Sequence, residues 1–356
     1  MMDIYRNIDR EKVQFDFAVT TPGVESNFFY REILSLGGYV HEIRSWRVTG
    51  IAGYFRQWKT ILAEGNYRIV HTHTSIGAGW PLFFAWLNNV PKRIAHARES
   101  GLGENDKTLR GKIGLRIFRL MTNIFSTEQI YCSPEAASYV FGKRALEKKH
   151  THFLPNAIEL SSFVEMNEER KREIRRELGV ADASYVLGTV GNAWPVKNHI
   201  FLVQVFHRFI TQNPVAKLVI VGNDVKDEAA KEYVAANGIQ NSVLFTGVKS
   251  NISEILQILD VFLLPSLSEG APGSVIEAQA ANVPCILSDT ITRAVDVGTG
   301  LVKYVPLNSP ERWVDEMKKS CQMDRPEAAN TIALLRRKGY DVSTSAERLL
   351  QIYGLG

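Results

Sequence analysis

Short apolar runs rich in Val, Ile, Leu and Phe alternate along the chain with longer stretches whose apolar positions recur at helical spacing. The first pattern predicts buried strands and the second amphipathic helices. In the first half, strands are expected over 14–20, 39–43, 69–72, 93–96, 129–132 and 152–154. Helices are expected there over 27–36, 50–63, 77–88, 109–125 and 134–141. In the second half, strands are expected over 186–190, 217–221, 243–245, 261–264 and 285–287, and helices from 310 onward. Such alternation predicts parallel sheets with helices on both faces. The chain is therefore read as α/β, with two Rossmann-like domains, 1–160 and 161–339, and a cleft between them. The crossover is expected within 156–180, much of it a charged helix at 165–177.

A length of 356 residues agrees with two domains, and 45% hydrophobic with 22% charged residues is an ordinary globular mix. No apolar run approaches the roughly 20 residues that span a bilayer, and the N-terminus carries no secretory signal pattern. Three scattered cysteines, Cys132, Cys285 and Cys321, fit a reduced cytoplasmic protein without disulfides or a zinc site. The net charge of +4 hides an asymmetry, because residues 1–150 hold 21 Lys/Arg against 14 Asp/Glu and the remainder 21 against 24. A basic half suits an anionic surface. No helix-turn-helix, RNP or zinc-finger pattern points to nucleic acid, so no nucleic-acid partner is expected.

The most informative segment is S-E-G-A-P-G-S-V-I-E, from Ser268 to Glu277. It follows the apolar run V-F-L-L-P and leads into a predicted helix. A strand end, a Gly-rich turn and a helix N-terminus together present backbone N–H groups to a phosphate. Glu269 and Glu277 flank that turn, and Glu277 falls about one turn into the helix, where a carboxylate can accept from ribose hydroxyls. With V-L-F-T-G-V (Val243 to Val248) before it and E-A-Q-A-A-N-V-P (Glu277 to Pro284) after it, the segment resembles the donor-binding half of family 4 retaining glycosyltransferases of the GT-B fold, the exopolysaccharide and capsule type. Asn282 stands where that family usually has Gly.

The resemblance implies several further roles. In G-T-V-G-N-A-W-P-V-K-N, from Gly188 to Asn198, Lys197 matches the family lysine that meets the donor diphosphate, while Asn192 replaces the family arginine. Gly191 turns the chain there, and the segment lacks the G-x-G-x-x-G of nicotinamide enzymes. Gly222, in V-I-V-G-N, and Val248, after Gly247, correspond to the turns near the nucleotide base. They can equally be plain strand-end turns. Donor binding is thus expected from Gly191, Asn192, Lys197, Gly222, Val248, Glu269, Gly270, Ala271, Pro272, Gly273 and Glu277. Lys197, Glu269 and His96 are the expected catalytic residues.

In the first domain, I-V-H-T-H ends at His73, and R-I-A-H-A-R-E carries His96 and Arg98. Relatives of the exopolysaccharide type have V-H-x-H and I-A-H-S-H, so Arg98 takes the place of the second histidine. His73, His96 and Arg98 are expected on the acceptor side. His96 is read either as a packed strand residue or as a group that holds the transferred sugar through a hydroxyl. Family members open with a short strand and a Gly-Gly loop, and the start M-M-D-I-Y-R-N-I-D-R is expected to lack both. The last helix, about 340–356, is expected to return to the first domain as in the family. The 107–125 segment is either a domain helix with a solvated basic face or an interfacial helix on anionic lipid.

The implied reaction moves a sugar from a nucleoside-diphosphate donor, expected to be a UDP-sugar, to a lipid-linked or oligosaccharide acceptor with retention of configuration. No metal or other cofactor is expected. The enzyme is placed in the cytoplasm, at the inner face of the membrane if the 107–125 helix is interfacial. A non-catalytic nucleotide-sugar-binding subunit, an inactive truncated homologue, and a nucleotide-sugar epimerase are the alternatives.

Overall fold

The computed structural model describes residues 1–20, 23, 25, 29–99, 101, 108–180 and 185–356. Asn27 and Lys107, at the starts of two predicted segments, lie outside them. The chain divides into two compact units, one of Met1–Ala157 with Val342–Gly356 and one of Ile158–Asp341.

Unit 1 runs α1 (Met2–Asn7), β1 (Phe17–Val19), α2 (Tyr30–Ser35), β2 (Val40–Glu42), α3 (Trp46–Gly65), β3 (Ile69–Thr72), α4 (Gly79–Leu87), β4 (Lys92–Ala97), α5 (Leu109–Phe125), β5 (Glu128–Tyr131), α6 (Pro134–Phe141) and β6 (Thr151–Phe153). Unit 2 adds α7 (Glu168–Glu177), β7 (Val186–Val190), α8 (His199–Ile210), β8 (Lys217–Val221), α9 (Glu228–Ala236), β9 (Val243–Gly247), α10 (Ile252–Gln257), β10 (Val261–Leu264), α11 (Gly273–Ala280), β11 (Cys285–Ser288), β12 (Val302–Val305), α12 (Pro310–Cys321) and α13 (Ala328–Arg337). The last helix, α14 (Val342–Tyr353), belongs to unit 1.

The sheet of unit 2 has six parallel strands in the order β12-β11-β10-β7-β8-β9. Side chains of a strand alternate between faces, and the two cores follow that period. Val219, Val221, Phe262 and Leu264 enter one core, while Leu218, Ile220, Val261 and Leu263 enter the other. Both β10 and β11 are buried throughout, as expected of parallel strands covered on both faces. The order reverses at β7 and β10, so the crevice beyond their C-terminal ends is the topological switch point where such folds bind ligands.

In unit 1 the described strands form two sheets. A parallel pair β1-β2 stands apart from the four-stranded sheet β3-β4-β5-β6. Aromatic rings line the pair: Phe15 stacks on Tyr5 at 5.3 Å between centroids and meets Tyr353 edge-on at 6.1 Å. Helix α14 buries Val342, Ala346, Leu349 and Tyr353 in the same core as Ile94, Ile130 and Leu154. The Lys92 ammonium donates to the Ile352 carbonyl at 2.7 Å.

Caps fix several boundaries. The Ser133 hydroxyl accepts from Ala136 N with Pro134 in the first helical turn, and Asn167 accepts from Arg170 N, which satisfies otherwise orphaned helix donors. Helix α3 starts at Trp46 rather than at the expected 50, because the Ser45 side chain caps it. Gly50, at φ 68°, is instead an internal kink. The strand expected over 14–20 is only Phe17–Val19. Strand β12 was not expected: it is a short edge strand with exposed Lys303 and lacks the apolar run of its neighbours.

Candidate active site

Two loops meet at the switch point of unit 2. The loop after β7 carries Gly191, Asn192 and Lys197, and the loop after β10 carries Glu269 to Pro272. They are tied by Leu267 N donating to Val196 O at 2.8 Å and by the Asn198 carboxamide donating to Pro265 O. The outcome is a direct ion pair, Lys197 Nζ to Glu269 Oε1 at 2.7 Å, with side-chain exposures of 16% and 15%. Ser266 Oγ donates to the same Glu269 oxygen at 2.9 Å. Gly191 makes room for the lysine, since a Cβ there would lie 3.2 Å from Lys197 Cε.

The turns after β7, β8 and β9 are also joined. Gly191 N donates to Val221 O, and Gly222 N to Gly247 O. Gly222 sits at φ 142°, and a Cβ on it would come within 2.2 Å of Gly191 O, so only glycine permits this approach. Asn192 is bound into the scaffold, because its Oδ1 accepts from Asn223 N at 3.0 Å. Val248 is exposed next to Gly247. On the far side Gly273 opens α11, whose start no side chain caps. Glu277 lies in its second turn, half-buried. The structure thus brings Gly191, Asn192, Lys197, Gly222 and Glu269 together through direct contacts, with Gly270 to Gly273 following in the β10 loop.

Behind Lys197 is a pair that sequence reasoning missed. His199 Nδ1 meets Asp227 Oδ2 at 2.8 Å, both residues are buried, and His199 Nε2 has no partner among the described residues. The only sequence signal was the position of His199 two residues after the matched lysine.

In unit 1, His73 follows β3, and His96 lies inside β4 with Arg98 just beyond it. Arg98 Nε donates to His73 Nδ1 at 3.1 Å and Arg98 Nη1 to Asn156 Oδ1 at 2.9 Å. Two further residues complete the cluster. His71 Nε2 lies 3.2 Å from His96 Nδ1, and His71 Nδ1 lies 2.8 Å from the Tyr353 hydroxyl. Sequence gave no signal for Tyr353, which is 282 positions from His71. Burial, reinforced by the Arg98 charge, pushes the His71 imidazolium down to about 3 and holds His73 and His96 well below the ordinary histidine range. All three are therefore neutral rings. One nitrogen from each of the three lies within 4.8 Å of the others, a spacing that could hold one metal ion.

A fold with two Rossmann-like domains, and a lysine–carboxylate pair at a switch point beside a Gly-rich helix start, define a GT-B glycosyltransferase. The family described as glycosyl transferases group 1 matches residues 170–331. The putative glycosyltransferase EpsF of Bacillus subtilis (strain 168) is 30% identical over 357 residues, 100% of this chain and 92% of that protein. The chain belongs to this family and is a hexosyltransferase. The capsular polysaccharide biosynthesis glycosyltransferase CapH of Staphylococcus aureus is 25% identical over 361 residues, 99% of this chain and 93% of CapH. The name of CapH puts that relative in capsular polysaccharide synthesis. Among solved structures, Anabaena Alr3699/HepE in complex with UDP-glucose superposes with a TM-score of 0.76 at 16% identity, covering 99% of this chain and 95% of that one.

Proposed function

We propose that the protein transfers a hexose from a UDP-sugar to a lipid-linked glycan acceptor, with retention of configuration and without a metal. The observation that carries the donor side is the Lys197–Glu269 pair at the switch point. The glutamate pairs directly with the lysine. A donor diphosphate competes for that ammonium, and Glu269 is then free to accept from hydroxyls of the transferred sugar. Lys197 and the uncapped start of α11 stabilise the negative charge that grows on the leaving UDP, the main catalytic term in this reading. Glu277 accepts from the ribose hydroxyls. The departing phosphate takes the acceptor proton on the face it leaves, so no carboxylate nucleophile is needed.

The acceptor side is read from unit 1. No described helix is long and apolar enough to cross a membrane, but α5 exposes Leu109, Ile113, Ile117, Leu120 and Ile124 along one stripe. At about 100° per residue these five fall within one quadrant of the helix. Arg110 flanks that stripe on one side, Lys112 and Arg116 on the other. This is the pattern of a helix lying in an anionic lipid interface, and it favours a lipid-linked acceptor.

Isothermal titration with UDP, followed by an assay of UDP release from UDP-sugars with lipid-linked acceptors, tests the reading. Wild type is expected to bind and turn over. Lys197→Ala is expected to bind UDP at least tenfold more weakly and to lose turnover, since a charge-assisted contact is worth about 1.5–3 kcal/mol. Binding without turnover on any acceptor would make the chain a binding subunit, and undiminished UDP binding by Lys197→Ala would refute the assigned donor site.

A further inference from the structure

Tyr353 is buried on α14, and its hydroxyl has one partner among the described residues, His71 Nδ1 at 2.8 Å. A phenol that accepted from His71 would leave its own proton buried without an acceptor. Donating that proton leaves nothing unsatisfied. His71 Nδ1 is then the acceptor, and His71 carries its hydrogen on Nε2. That hydrogen faces His96 Nδ1 at 3.2 Å, so His96 in turn carries its hydrogen on Nε2. The His96 Nε2 atom is buried and has no partner among the described residues. The line from Tyr353 through His71 therefore ends in an N–H with no acceptor among the described residues.

Arg98 fixes a second imidazole the same way. Its Nε–H donates to His73 Nδ1 at 3.1 Å, so His73 also carries its hydrogen on Nε2. Arg98 is itself largely buried, enough to push its guanidinium below the ordinary arginine range. Among the described residues no carboxylate pairs with it. Its side-chain contacts are the neutral His73 and the Asn156 carboxamide. Among the described residues the cluster thus holds a guanidinium without a counter-ion and two imidazole Nε2–H donors, that of His96 buried, while the ring acceptors are already taken. A metal ion fits poorly. It needs a lone pair on His73, and the nitrogen that keeps one is the atom already facing the Arg98 donor.

We propose that Arg98, His73 and His96 form a binding site for a phosphoryl group, and that Tyr353 and His71 are positioning residues that hold His96 in the donor tautomer. A phosphoryl oxygen accepts only, carries the charge Arg98 lacks, and satisfies both imidazole donors. Assigning the group to the acceptor rests on the functional reading above. The site itself does not, since it is argued within unit 1. The diphosphate of either donor or acceptor supplies the same chemistry.

The test is long-range 1H–15N spectroscopy of 15N-histidine-labelled protein, which reads each ring's tautomer directly. His73 and His96 are expected as Nε2–H tautomers in the unliganded wild type. Inorganic pyrophosphate, added with UDP at saturation, is expected to shift both rings, which assigns the site to the acceptor. A shift with UDP alone supports the site with the donor as its source. Arg98→Met is expected to weaken the pyrophosphate response at least tenfold and Arg98→Lys to keep part of it. Tyr353→Phe is expected to move His96 toward the Nδ1–H form, with circular dichroism reporting whether the variant folds. The wild-type tautomer spectrum stands as a test even if it does not. Rings indifferent to both ligands, or His96 carrying its hydrogen on Nδ1, overturn the proposal. Stoichiometric Zn2+ binding, with one unprotonated nitrogen of His71, His73 and His96 each shifted as a ligand, overturns it in favour of a metal centre. Loss of UDP binding in unit 2 would sink the donor reading and leave the pyrophosphate response standing.

Discussion

If α5 rests on lipid, a polar residue in its exposed stripe should detach the protein without unfolding it. Ile117 is the best probe, being central in the stripe and 53% exposed. That leaves roughly 90 Å² of apolar surface to move out of water, about 2 kcal/mol at ~25 cal/mol per Å². Ile117→Asn should therefore weaken partition to vesicles about 30-fold. The fold should hardly notice, since surface substitutions away from packed contacts usually stay within about 0.5 kcal/mol. The charges predict a separate signature. Each cation close to an anionic surface contributes about 1 kcal/mol. Lys112→Gln and Arg116→Gln should each cost about fivefold at low salt, and much less once the Debye length falls to about 3 Å in 1 M salt.

The assay is co-sedimentation with vesicles of neutral and of mixed anionic lipid, at low and high salt, beside urea unfolding of the same variants. Wild type should pellet only with anionic vesicles, and less as salt rises. Ile117→Asn should stay in the supernatant with an unchanged unfolding midpoint. Equal pelleting of wild type and Ile117→Asn, or equal recovery on neutral and anionic vesicles, would refute the interfacial role. A lowered unfolding midpoint in Ile117→Asn would mean that the stripe packs against protein.

Glu277→Ala should lower UDP affinity by roughly 10- to 150-fold, from the loss of about 1.5–3 kcal/mol of charged acceptor, and calorimetry showing unchanged affinity would leave α11 structural. Lys226→Gln should weaken UDP binding a fewfold at low salt and hardly at all in 1 M salt, and a salt-independent loss would count against a through-space charge. The neutral histidine cluster predicts acid sensitivity. Folded-state pKa values depressed below about 6.5 make the unfolded chain the stronger proton binder, so this stability is full above about pH 6.5 and is lost as pH falls toward about 3, where His71 titrates. Urea midpoints should therefore fall between pH 7 and 5, less steeply in His96→Asn, and identical pH profiles for the two proteins would contradict the burial argument.

Chemistry was legible where it is local and hidden where it is long-range. Strand β10, and β8 after its first residue Lys217, are uninterrupted apolar runs because both of their faces are covered, and that demand is written in consecutive residues. Edge strand β12 meets no such demand, and its sequence V-K-Y-V does not announce a strand. The start of α3 was misjudged because Gly50 looks like a boundary, whereas the boundary signal is the Ser45 hydroxyl. At the site, Lys197 and Glu269 were each readable from their own loops, but their 2.7 Å contact depends on the sheet order that sets β7 beside β10. Tyr353 acts on His71 across almost the whole chain, and no periodicity encodes such a pairing.

The asparagine at position 192, where the family resemblance implies an arginine, becomes intelligible in the same terms. A diphosphate in the proposed donor site needs positive charge, and an asparagine does not supply it. The Asn192 oxygen instead accepts from Asn223 N, locking the β7 and β8 turns together. A guanidinium has no acceptor and could not make that bond. The same locked β8 turn leads to Lys226, whose ammonium sits 3.9 Å above the ring of Trp194, in the β7 loop between Asn192 and Lys197. A cation held over an aromatic face loses freedom, so Lys226 is held beside the loop that presents Lys197. A cation therefore stands at this end of the sheet on the neighbouring turn. The Asn192–Asn223 bond is one of those that hold the turn leading to Lys226.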